Sequence, residues 1–134
     1  MKGPVCISPA PYVGTPWRRL GRDPKVALDC WGLVMLCLPG VPDYASGSLS
    51  LIALARATAA GWEDPRWRAL SGPSHGCLVM LDRTHAGVLW QGRVFNAIEP
   101  DGVRADPLED LPTLGFRRPT FAAWEPWRAG GDAS

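Results

Sequence analysis

Leu28-Asp29-Cys30-Trp31-Gly32-Leu33-Val34 is the stretch on which the reading of this chain turns. Asp29 is a helix-capping residue type, the residues after it are apolar, and Pro39-Gly40 stops the run, which predicts a helix from Cys30 to about Leu38. A thiol therefore stands in the first helical turn. The positive end of the helix favours a thiolate there, and a neighbouring imidazolium would favour it further. A carboxylate facing the sulfur would oppose this, so Asp29 is expected to aim at backbone N–H groups and away from Cys30.

Outward from this helix, the second informative stretch is Thr84-His85-Ala86-Gly87-Val88-Leu89-Trp90, where the hydrophobic period becomes that of a strand. Strands are predicted over Cys77–Leu81, His85–Trp90 and Val94–Ile98, with turns at Asp82-Arg83-Thr84 and Gln91-Gly92. If Gln91-Gly92 is a two-residue hairpin turn, Trp90 pairs with Arg93 and Gly87 falls opposite Asn96. His85 then shares a sheet face with Asn96 as its diagonal neighbour, at a typical Cα separation of about 7–8 Å. The missing side chain at Gly87 leaves room for the Asn96 amide to lean toward the ring. A cysteine, an imidazole and an orienting amide are the parts of a cysteine hydrolase site, with the Cys30 backbone N–H as one oxyanion donor.

The rest of the chain bounds this reading. Its 134 residues suit one domain, and 14 basic against 13 acidic residues (net charge +1) leave no electrostatic footprint for nucleic acid. The longest apolar run, Leu33–Leu38, is far short of the roughly 18 residues needed to span a bilayer, so no membrane insertion is expected. The first ten residues lack the apolar run of a signal peptide. Fourteen prolines and fifteen glycines imply many turns, and several of the seven tryptophans are expected to line a groove. Of the four cysteines, Cys37 and Cys77 read as core and Cys6 has no assignment; their spacing fits neither a disulfide framework nor a metal site.

Residues 1–27 read as an extended arm with a basic cluster, Arg18, Arg19 and Arg22, open to substrate carboxylates or simply solvated. A second helix is expected over Leu49 to about Ala60, capped by Ser48, and a loop over Asp64–His75 that leaves His75 at the surface. A turn at Pro100-Asp101-Gly102 precedes a short strand, Val103–Ala105. A last strand is expected over Phe116–Phe121, interrupted by Pro119, and residues 129–134 as a disordered tail after a single domain over 1–128.

The whole pattern resembles the NlpC family of papain-like cell-wall cysteine peptidases, in its phage-tail-associated branch. The resemblance rests on Tyr12-Val13-Gly14-Thr15-Pro16-Trp17, Gly21-Arg22, the Cys30 stretch, Pro42-Asp43-Tyr44, Ser74, Leu78–Leu81, His85-Ala86-Gly87-Val88, Phe95-Asn96-Ala97 and Gly115-Phe116-Arg117-Arg118-Pro119. It implies a single α+β domain in which the helix carrying the cysteine packs on an antiparallel sheet. It also implies Cys30 as nucleophile, His85 as base, Asn96 where relatives often have histidine, and Tyr12, Trp17 and Trp31 as substrate or oxyanion candidates. The implied activity is hydrolysis of peptidoglycan stem peptides, often between D-glutamate and a diamino acid, without cofactor or metal. The implied setting is a virion tail or tail-like particle made in the bacterial cytoplasm, with other tail or tail-tip proteins as partners. Two alternatives keep the same fold: a structural tail-tip protein without turnover, and a thiol amidase or acyltransferase.

Overall fold

A computed structural model describes residues 6–43, 65–82 and 85–129. After a 3-10 turn at Ala10–Tyr12, two short paired strands, β1 (Arg22–Asp23) and β2 (Ala27–Leu28), lead directly into helix α1 (Cys30–Cys37). The remaining strands are β3 (Trp67–Leu70), β4 (Leu78–Asp82), β5 (His85–Trp90), β6 (Arg93–Ile98), β7 (Gly102–Pro107) and β8 (Thr120–Trp124), and a short helix α2 (Pro126–Ala129) follows. These six strands form one antiparallel sheet in the order β3-β8-β4-β5-β6-β7.

Helix α1 forms where it was expected because its ends are fixed chemically. The Asp29 carboxylate accepts from the Gly32 N–H at 2.8 Å, and at the other end the Leu38 N–H closes on the Val34 carbonyl before Pro39 and Gly40, the latter at φ +88°. Its middle is not amphipathic: Trp31, Leu33, Val34 and Cys37 are all fully buried. So short a helix would not persist in water, and burial on several sides holds it. It packs against β5 and β6, near the middle of the sheet.

The sheet divides its side chains by the two-residue period. Leu78, Met80, Ala86, Val88, Phe95, Ala97 and Val103 join the core beneath α1, with Trp31, Trp67 and Trp124. Val79, Leu81, Leu89 and Val94 form a second apolar layer with Leu111, covered partly by Leu108, Phe116 and Phe121. The groove expected of the tryptophans is largely a core: Trp67 and Trp124 are buried with ring centroids 4.7 Å apart, and Trp31 lies 6.5 Å from Trp67.

The Gln91-Gly92 hairpin has the register expected, pairing Trp90 with Arg93, Leu89 with Val94 and Val88 with Phe95. Both turn residues have positive φ, 51° and 79°, the twist a two-residue hairpin turn requires. Three expectations are corrected. The loop read over Asp64–His75 contains β3, an edge strand whose order comes from pairing with β8 (Trp67 with Trp124, Leu70 with Phe121), and no local pattern announces that. The last strand starts at Thr120 rather than Phe116, since Pro119 has no N–H to give a ladder. The arm over 1–27 is also less extended than read, carrying the 3-10 turn and β1. The helix expected over 49–60 and residues 130–134 of the expected tail lie outside the described residues.

Candidate active site

His85 and Asn96 are brought together as the hairpin register requires. His85 Nε2 lies 3.1 Å from Asn96 Oδ1, and Asn96 is almost wholly buried. A Cβ on Gly87 would sit 2.6 Å from the Phe95 carbonyl oxygen and 3.2 Å from Asn96 Cβ, so only glycine permits this approach of the two strands. The imidazole stacks on Phe116, with centroids 5.6 Å apart and planes 21° from parallel. Phe116 thus supports the ring from a loop that the sequence offers only as a supposed strand start.

The amide is fixed at its other end. Asn96 Nδ2 donates to the Val94 carbonyl at 3.3 Å and to Asp106 Oδ2 at 3.2 Å. Asp106 in turn accepts from Arg104 Nε and Nη2 at 2.9 Å each, and Arg104 Nη1 donates to Asp101 at 2.7 Å. Neither Asp106 nor Arg104 stands out in the sequence. Their two-residue spacing on β7 beside Asn96 on β6 is the one signal that could have found them.

Cys30 is buried at the start of α1, only 4% exposed. Backbone N–H groups of Ala86 and Trp31 point to its sulfur, which places the thiol one residue along β5 from His85, just past the end of the β5–β6 ladder at Val88–Phe95. Burial, and after it the Asp29 charge, push this thiol up to about 12, while those N–H groups and Arg22 pull the other way. Desolvation thus opposes the thiolate that the helix start alone favours.

Asp29 aims as expected. Besides Gly32, it accepts from the Leu20 N–H at 2.9 Å and from Arg22 Nη1 at 2.6 Å. Arg22 also makes a two-pronged pair with Asp43, at 2.9 and 3.0 Å. The carboxylates it receives are therefore the chain's own, which removes Arg22 from the set read as open to substrate. The Gly21 carbonyl completes this junction: it accepts from Arg22 Nη1 and lies only 2.2 Å from where a Cβ on Gly32 would be. Gly32 belongs to the motif because the arm crosses the helix there.

Of the aromatic candidates, Trp17 bridges to Leu28, two residues before Cys30, and Tyr12 ends the 3-10 turn; both are partly buried against the core. Trp31 is corrected: it is fully buried and its indole N–H donates to the Pro42 carbonyl at 2.9 Å, so its ring offers a substrate nothing. His75 is exposed, lies 4.3 Å from the Trp90 ring and accepts from the Gln91 N–H. Cys37 and Cys77 are buried, as read, and Cys6 lies half-buried against Gly76.

No protein-family model and no curated protein sequence matches the chain. Among solved structures it is similar to the NlpC/p60 domain of the peptidoglycan hydrolase SagA, with a TM-score of 0.53 and 20% sequence identity over 86% of this chain and 91% of that one. A hairpin with His85 and Asn96 packed against a helix that starts on a cysteine is thus carried on a fold similar to that of an NlpC/p60 domain.

Proposed function

We propose that this protein is a cysteine hydrolase of peptidoglycan stem peptides. The observation that carries the reading is the His85–Asn96 pair at 3.1 Å, one residue along β5 from the Ala86 backbone group that meets the Cys30 sulfur, on a fold shared with a domain of a peptidoglycan hydrolase. In this mechanism His85 takes the thiol proton as the sulfur attacks the amide carbonyl, and the Cys30 N–H helps hold the oxyanion. The C–N bond breaks, the imidazolium gives its proton to the leaving amine, and a thioester remains. Water, deprotonated by the same imidazole, then releases the acid and restores the thiol. A thiol whose burial favours the protonated form supports His85 as a general base rather than as the partner of a preformed ion pair.

The bond we assign is that between D-glutamate and the diamino acid, and the setting a phage tail or tail-like particle in which other tail proteins are partners. Both rest on the ordered motif resemblance. Attachment to a tail would raise the local concentration of the domain at the wall. Muropeptide mass spectrometry after incubation with intact peptidoglycan is expected to show new amino termini with the unmodified protein and none with Cys30→Ala. Absence of products with the unmodified protein rejects the hydrolase. The near-complete burial of Cys30 favours the alternative of a structural tail protein without turnover, and this experiment separates the two. Immunodetection in purified particles tests the tail; absence of the chain from them rejects that setting.

A further inference from the structure

We propose that Asp106 is a positioning residue that sets the tautomer of His85 by fixing which way round the Asn96 amide lies; this rests on the reading of His85 as base. The two ends of a carboxamide are nearly the same shape but opposite in hydrogen bonding: the oxygen only accepts and the nitrogen only donates. Turned one way, Asn96 accepts from Nε2–H of His85 and leaves the lone pair on Nδ1. Turned the other, its NH2 needs the Nε2 lone pair, and the proton moves to Nδ1. Only the first arrangement lets Nδ1 act as a base while Nε2 is held.

The contacts at the far end of the amide decide between them. Val94 O and Asp106 Oδ2, at 3.3 and 3.2 Å, are both acceptors, so the NH2 group must face them and Oδ1 must face His85. The Val94 carbonyl is backbone and cannot be varied; Asp106 is the variable part. Arg104 fixes its carboxylate by three contacts, to Oδ1 at 3.2 and 2.9 Å and to Oδ2 at 2.9 Å, and is itself held by Asp101. Information about the proton on the imidazole thus runs from β7 through β6 to β5.

The test is the tautomer of His85 read by long-range proton–nitrogen NMR on 15N-histidine-labelled protein at a pH where the ring is neutral. The unmodified protein is expected to carry the proton on Nε2. Asp106→Leu, which keeps bulk and removes the acceptor, is expected to give a mixture of tautomers and to lower kcat at least about tenfold with KM unchanged. Asp106→Asn should restore most of the tautomer and kcat, because an amide oxygen at the Oδ2 position still accepts from Asn96 Nδ2 and Arg104 Nε, although the NH2 at the Oδ1 position gives up the Arg104 Nη2 bond. Should Asp106→Leu fail to fold, Asp106→Ala takes its place. A proton on Nδ1 in the unmodified protein, or the same tautomer and kcat with and without the Asp106 acceptor, overturns the proposal. Since the spectrum needs no turnover, an Nε2 proton lost in Asp106→Leu, in a protein that never cuts peptidoglycan, would refute the hydrolase and leave the positioning role standing.

Discussion

The two ends of helix α1 each carry a buried thiol, and both thiols are pushed up to about 12, chiefly by burial. Acidity therefore does not tell Cys30 from Cys37. Their neighbours do. Cys37 lies in the apolar core between α1 and the sheet, with the Ile7 N–H donating to its carbonyl, and among the described residues of that core there is no imidazole. Cys30 has backbone N–H groups aimed at its sulfur and His85 one residue beyond Ala86. What sets Cys30 apart as the candidate nucleophile is where the helix begins relative to the hairpin, and not a thiol that ionises unaided.

The largest effect expected is at the thiols themselves. Cys30→Ala should abolish peptidoglycan cleavage with the fold retained, whereas Cys37→Ala should keep cleavage and lose about 1–2 kcal/mol of stability to the cavity it leaves. Product analysis together with denaturant unfolding checks both, and turnover in folded Cys30→Ala would break the comparison. Next comes the imidazole: His85→Ala is expected to lower kcat by roughly 10²- to 10⁴-fold, and exposed His75→Ala to leave it within about twofold. Equal losses from the two would show that proximity to Cys30 is not what counts.

The junction that positions Cys30 should be costly to disturb. Gly32→Ala drives a methyl group into the Gly21 carbonyl and is expected to cost about 3 kcal/mol, read from denaturant midpoints. Arg22→Ala leaves Asp29, which is 3% exposed, without its cation; the expected cost is about 2 kcal/mol, tempered by the partial exposure of Arg22.

The smallest effect is on pH dependence. A thiol that keeps its proton to about 12 when folded, against an ordinary 9.0, binds more protons in the native than in the unfolded state between those values. Stability is therefore fully present below about pH 9 and falls as pH rises toward about 12. Cys37→Ala should flatten this fall relative to the unmodified protein, and an unchanged slope would show that the Cys37 thiol ionises as readily folded as unfolded.

Sequence by itself determined what is local here. Asp29 followed by an apolar run and Pro39-Gly40 fixes both ends of α1, and Gln91-Gly92 between alternating strands fixes the register that joins His85 to Asn96, because caps and two-residue turns act over a few residues. Tertiary structure decided the rest. Strand β3 exists through pairing with a segment more than fifty residues later, Arg22 is bound by carboxylates from two other segments, and Trp31 is lost to the core. The state of the Cys30 thiol was decided in the same way, since desolvation depends on what surrounds the sulfur from every side, and no window of sequence contains those surroundings.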